Sequence, residues 1–196
     1  MTAEIRFALN SLHDKDTYTY WHSIRVQRYS LMIGNKLKLN EDQMQKLEVA
    51  SLLHDIGKIH VPDEILKKSG RLTKQEFETI KEHPTNSGKV FENLTDLEQY
   101  EKYISSHHER YDGQGYPNGL KGEEIPLLSR IIFVADSFDA MTSDRPYRKG
   151  MPLDVAVSEL IKNRDTQFDP RVVDTFIDLV RLESEEVYEV LKISGD

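Results

Sequence analysis

Apolar residues recur along the chain at three- and four-residue intervals, while short strictly alternating runs are missing. That period predicts helices and leaves no strand pairing to build. Trp21, Ile24, Tyr29, Ile33 and Leu37 outline one face of a helix beginning near Asp16. Asn40 and Gln43 have the spacing of a capping box ahead of Met44, Leu47, Leu52 and Leu53. Thr73 and Glu76 repeat that spacing before "FETIKEH", after which Pro84 disturbs the pattern. "LEQYEKYISSHH" reads as a helix that ends near a glycine-rich loop, and "LLSRIIFVADSFDAMTS" as a largely buried one. Pro152 fits the first turn of a helix around "LDVAVSELI". Asp169 and Pro170 open another, and "SEEVYEVL" forms a last, more exposed one. With no internal repeat and no linker-like stretch, the expected fold class is all-α in a single domain.

Composition narrows the function. The 196 residues suit one domain with a sizeable core. Lys and Arg number 26 against 34 Asp and Glu, a net charge of −8. This argues against long nucleic acid as a partner, because binding to phosphate backbones needs a basic face. A small anion stays compatible with a few cations gathered locally. Without cysteine, disulfides, thiolate zinc sites and cysteine nucleophiles are excluded, and any metal must use imidazole and oxygen ligands. No apolar run approaches the roughly 18 residues of a membrane span, and the polar N-terminus does not read as a secretory signal. The expectation is a cytoplasmic chain with no membrane partner.

The candidate chemistry is spread along the chain. His107 and His108 stand together at the mouth of "HHERYDGQGYP", a loop built on Gly113, Gly115 and Pro117. His54 and Asp55 end an apolar helix and are followed by Lys58. At about 100° per residue, His54 and Lys58 share a face and Asp55 lies a quarter-turn away. Singly, these residues are ordinary: His54 a polar edge, His22 a satisfied core histidine, His83 an exposed residue before proline. Asp136 differs, since it lies within "IIFVADSF" and unpaired burial of a carboxylate is costly. Taken together, His22, His54, Asp55, His83, His107, His108 and Asp136 supply five imidazoles and two carboxylates from five helical segments. Such a set suits a pair of divalent transition metals, which the two oxygens of Asp55 can bridge. His13 and His60 carry no assigned role.

In order along the chain stand "HS-x-RV" at His22, "LLHDIGKI-x-VPDEIL" around His54, "KEHP" at His83, "HHERYDGQGYPNGLKGEEIP", "RIIFVAD-x-FDAMTSDRPYR" and "QFDP". This array closely resembles the HD-GYP domain, a branch of the HD superfamily of metal-dependent phosphohydrolases. The likeness runs from about Asp16 to about Ile177. It implies a helical bundle of the HD type with an extended GYP loop over residues 16–183, after a lead-in segment 1–15 and before a C-terminal helix or tail at 184–196. It also implies hydrolysis of cyclic di-GMP to the linear dinucleotide pGpG, and sometimes to GMP, by attack of a metal-bridging hydroxide.

By the resemblance, His22, His54, Asp55 and Asp136 bind one metal, and Asp55, His83, His107 and His108 the other. Iron or manganese suits the family; zinc, cobalt or nickel satisfies the same ligands. Lys58 is expected to stabilise charge in the transition state or help the leaving group. Asp139, three residues after Asp136, is expected to orient the hydroxide or take its proton, or to stand behind the ligands. Arg145 and Arg148 in "DRPYR" meet the phosphates of the dinucleotide, and Tyr116 borders the substrate or anchors the loop. Some members of the family carry a glutamate four residues before the first histidine, where it helps hold a third metal. This chain has Tyr18 there, and a phenol is a poor substitute for a carboxylate at neutral pH, so two metals are expected. Two other functions compete. One is a catalytically weak module that binds the dinucleotide or docks on a cyclase or regulatory domain through the GYP loop. The other is an HD phosphohydrolase acting on nucleoside mono- or triphosphates, which the GYP stretch counts against.

Overall fold

The computed structural model describes residues 2–91, 97–144, 149–182 and 184–194. Among the described residues eleven α-helices follow one another: α1 Ala3–Lys15, α2 Thr17–Lys36, α3 Glu41–Leu53, α4 Asp63–Leu66, α5 Lys74–Lys81, α6 His83–Phe91, α7 Glu98–Ser105, α8 Leu127–Thr142, α9 Leu153–Lys162, α10 Pro170–Leu182 and α11 Ser184–Leu191. Short 3₁₀ turns lie at Ile56–His60 and Gly122–Glu124. Among the described residues there is no strand, only one isolated bridge between Arg164 and Phe168. The fold is all-α. No helix of the described residues is long and apolar enough to cross a membrane.

Local chemistry accounts for the helix ends. The Asn40 side chain accepts from the Gln43 amide at 2.9 Å while Gln43 caps the Asn40 amide in return. Thr73 and Glu76 make the same reciprocal pair before α5. Pro84 falls in the first turn of α6, where its missing N–H costs nothing, so it starts a new helix after the stop at Lys81.

Within the segment expected as a lead-in, Ala3–Lys15 form α1 and bury Ile5, Ala8, Leu9 and Leu12. These four positions have the spacing of one helical face. Asp16 ends α1 and starts α2: its amide donates to the Leu12 carbonyl, and its carboxylate accepts from the Thr19 amide at 3.0 Å. At the other end, Val187 and Val190 of α11 reach the core, while Tyr188 is 49% exposed.

α2 and α8 are the central pair; α2 packs on α1, α3, α8, α10 and α11, and α8 on α2, α3, α7, α9 and α10. Tyr29, Phe138 and Phe176 join α2, α8 and α10, with ring centroids 5.2, 5.9 and 4.8 Å apart and planes steeply inclined. Such edge-to-face contacts each add ~0.5–1.5 kcal/mol to the burial of the rings. The buried face of α2 differs from the apolar stripe outlined above. Trp21 and Ile24 are only partly buried, and the inward face is His22, Ser23, Arg25, Val26, Tyr29, Ser30 and Ile33. Hydrophobic periodicity cannot find a face that buries His22 and Arg25 against a carboxylate from another helix.

Candidate metal centre

Each candidate side chain enters the site from an element that holds it by its backbone. His54 ends α3, and Asp55 begins the 3₁₀ turn after it. His83 starts α6, His107 and His108 follow α7, and His22 and Asp136 lie within α2 and α8. The 3₁₀ turn packs so closely on α6 that a Cβ on Gly57 would lie 1.9 Å from the His83 carbonyl oxygen. Only glycine permits that approach, and it brings Asp55 to His83.

The seven predicted ligand residues converge. The ligand atoms of His83, His107 and His108 lie within 4.8 Å of one another, as do those of His22, His54 and Asp136, and those of His54, Asp55 and His107. Asp55 divides its oxygens between the groups. Its Oδ1 is 3.2 Å from His83 Nε2, and its Oδ2 is 3.8 and 3.6 Å from the Nε2 atoms of His22 and His54. Asp136 Oδ1 is 3.0 Å from His22 Nε2.

The hydrogen bonds behind the rings set their tautomers. His54, His83 and His107 each direct Nδ1 at the carbonyl three residues earlier, those of Ser51, Ile80 and Ile104, at 2.8, 2.7 and 2.5 Å. A carbonyl only accepts, so each Nδ1 carries the proton and each Nε2 lone pair faces inward. His54 Nε2 is fully buried with no hydrogen-bond partner among the described residues. The Nε2 atoms of His83 and His107 face each other at 3.3 Å. Two facing lone pairs need an extra proton or a cation between them, and an orphaned buried acceptor is expensive. The donor set therefore fits divalent transition metal ions of the imidazole- and oxygen-binding kind.

Charge follows the same geometry. Burial holds the His54 imidazole below its usual pKa, and holds His107 well below with the nearby His108, His54 and His83 adding to the effect. Burial brings His108 down to about 3. Burial also opposes charging of His22, but Asp136 and Asp139 outweigh it and raise that ring to about 9. Asp55 is buried too, yet the Lys58 ammonium and the imidazoles of His54 and His83 hold its carboxyl well below the usual range. For Asp136, His22 and then His54 and His108 overcome burial in the same direction.

Other predicted residues are placed differently. Lys58 does not share a helical face with His54, because α3 ends at Leu53 and the backbone tightens into a 3₁₀ turn. In that turn residues three apart eclipse, and Lys58 Nζ meets Asp55 Oδ2 at 2.6 Å. Asp139 does not face the cluster as an acid poised for proton transfer. It is fully buried behind His22, accepts from His22 Nδ1 at 2.7 Å, and receives the Arg25 fork on both oxygens at 2.7 and 3.0 Å. With both oxygens engaged by donors, it orients the imidazole instead. Tyr116 packs its ring on His108 with centroids 5.0 Å apart, and Lys81 Nζ lies 5.1 Å from the Tyr116 centroid. Arg145 and Arg148 lie outside the described residues. His13 and His60 are exposed.

Sequence reasoning missed two supports. Arg25 follows His22 by three residues in "HSIRV", and a buried carboxylate without a named countercharge was the signal for it. Glu109 is 1% exposed, and its two oxygens accept the amides of Asn118 and Leu120 at 2.6 and 3.1 Å. It closes the GYP loop over itself, where a Cβ on Gly115 would lie 2.2 Å from the Arg110 nitrogen. The loop is moored at its outer side by Tyr111 and Asp112 amides donating to Gln167 and Thr166 carbonyls.

A profile of the HD domain family matches residues 7–172. The chain belongs to that family, in its HD-GYP branch. It is 39% identical over 201 residues to a cyclic di-GMP phosphodiesterase of Pseudomonas aeruginosa, covering 96% of this chain and 48% of the relative. It is 40% identical over 188 residues to a cyclic di-GMP phosphodiesterase of Thermotoga maritima, covering 94% and 51%. The chain thus spans about half the length of these curated relatives. Its fold is shared with a cyclic GMP-AMP-specific phosphodiesterase of Vibrio cholerae, at a TM-score of 0.64 and 22% identity over 89% of this chain and 49% of that one.

Proposed function

We propose that this chain is a metal-dependent phosphodiesterase that hydrolyses cyclic di-GMP to pGpG. The observation that carries the reading is the divided Asp55 carboxylate, with one oxygen toward His83 and the other toward His22 and His54. His22, His54, Asp55 and Asp136 would hold one divalent ion, and Asp55, His83, His107 and His108 a second. Iron or manganese suits this nitrogen and oxygen set. When bound, such a pair supplies Lewis-acid polarisation of a phosphodiester and lowers the pKa of water.

The chain's own residues do the remainder. Lys58, anchored on Asp55 and partly exposed, presents an ammonium to negative charge developing on the phosphate and the leaving 3′ oxygen. Tyr116 walls the site beside His108. Arg145 and Arg148 offer guanidinium donors to the substrate phosphates. Asp139 and Arg25 hold His22 in register. Tyr18 stacks parallel to His22, with centroids 6.4 Å apart, and adds no carboxylate there, so two ions per chain are expected.

Incubating the chelator-treated protein, reloaded with manganese or iron(II), with cyclic di-GMP tests the reading. Release of pGpG that depends on the metal, with two ions per chain by elemental analysis, is expected. Binding without turnover would replace the enzyme by a dinucleotide-binding regulatory module. Faster cleavage of 3′3′-cGAMP than of cyclic di-GMP would reassign the substrate.

A further inference from the structure

The bonds behind His22 continue past Asp139. Arg25, 5% exposed, uses Nε and one terminal nitrogen on Asp139 and donates its other terminal nitrogen to the backbone carbonyl of Ile193 at 2.9 Å. A connected path thus runs from the C-terminal segment, through Arg25 and Asp139, to His22 in the candidate metal centre. Ile193 is itself held by its amide donating to the Val190 carbonyl at 3.1 Å, and α11 is seated on α2 and α10. A carboxylate meeting only an imidazole can turn about its own axis and carry the ring with it. A planar fork on both oxygens removes that freedom, and the Ile193 carbonyl fixes the fork from its far side.

We propose that Arg25 is a positioning residue of the metal centre, and that the C-terminal segment is the outer half of its clamp. The inference rests on the metal reading of the site above. It assigns to the segment after α11 a part in setting the geometry of a histidine 171 residues earlier in the chain. Lysine at position 25 would keep the positive charge beside Asp139 but lose the fork, so it separates positioning from neutralisation.

The test is a manganese titration of the chelator-treated full chain, alongside thermal melting. His22→Ala first identifies which of the two binding classes belongs to the His22 side. In Arg25→Lys that class is expected to weaken about tenfold or more, with the other class unchanged. Deleting residues 193–196 is expected to weaken the same class by a smaller factor. Ile193→Ala, which keeps the carbonyl, should leave both classes intact. Equal affinities in Arg25→Lys and the wild type would overturn the positioning role, and so would a parallel loss of both classes, which marks a purely structural residue. An unaffected deletion variant would remove the C-terminal segment from the clamp. If the wild type binds no metal, the proposed function fails first and this inference with it.

Discussion

Asp55 and Lys58 touch at 2.6 Å, yet the proposed function separates them. Asp55→Asn removes the charge that both histidine groups share, so bound metal and activity are expected to vanish together. Lys58→Ala leaves every candidate ligand in place. Metal content should be retained while kcat falls about 10²–10³-fold, the usual cost of losing one transition-state donor, with KM little changed. Elemental analysis and steady-state kinetics on the two variants check this. Full turnover in Lys58→Ala would remove the lysine from the chemistry. The histidines and these two residues were legible because their types are costly to bury and their order is distinctive. Asp139 left two readings open, because a residue letter does not say which oxygens are already engaged; the His22 and Arg25 contacts favour the place behind the ligands.

At the scale of elements, the site depends on two close approaches. Gly57→Ala would force the 3₁₀ turn away from α6, since its Cβ would collide with backbone at His83. A loss of about 1–3 kcal/mol in urea unfolding is expected, together with weaker metal binding as Asp55 parts from His83. Unchanged stability would show that the turn can shift freely. Glu109→Ala should release the GYP loop by leaving the Asn118 and Leu120 amides without their acceptor. Hydrogen exchange at those two amides should accelerate while α2 and α8 stay protected, and stability should fall by roughly 1.5–3 kcal/mol. Helix boundaries at Asn40, Thr73 and Asp169 could be read from caps alone. The inward face of α2 could not, because the partners of His22 and Arg25 come from α8 and the C-terminal segment, far along the chain.

For the molecule as a whole, the buried charges set a pH window. In the metal-free protein His54, His107 and His108 are held neutral, mainly by burial. Unfolding lets them bind protons, so stability should fall as pH drops below the ordinary histidine value of ~6.5, by ~1.4 kcal/mol per pH unit for each such group. The lowered Asp55, Asp136 and Asp139 contribute fully above the ordinary carboxylate value of ~4 and lose that contribution as pH falls further. His22 acts in the opposite sense. Raised to about 9, it stabilises fully below ~6.5 and ceases to do so as pH rises through its folded value. Urea unfolding with chelator present should therefore be most resistant between about 6.5 and 8; a maximum near pH 5 would contradict these directions. Since His22 carries a proton in that window, manganese binding should release about one proton. Calorimetry in buffers of different ionisation heat measures it directly.

Three of the inward-facing histidines take their orientation from a carbonyl in the last turn of a helix, where the ladder of main-chain bonds runs out and acceptor capacity is left over. No loss of a side chain can delete those acceptors, because the main chain supplies them whatever residue stands at positions 51, 80 and 104. His22 lies in mid-helix, where the nearby carbonyls are already used, and so it borrows its acceptor from Asp139. Mutational damage to ligand orientation is therefore unevenly distributed. The histidines at helix ends are insulated from change elsewhere in the sequence, whereas His22 is exposed to it through Asp139 of α8, Arg25 of its own helix and the segment at Ile193.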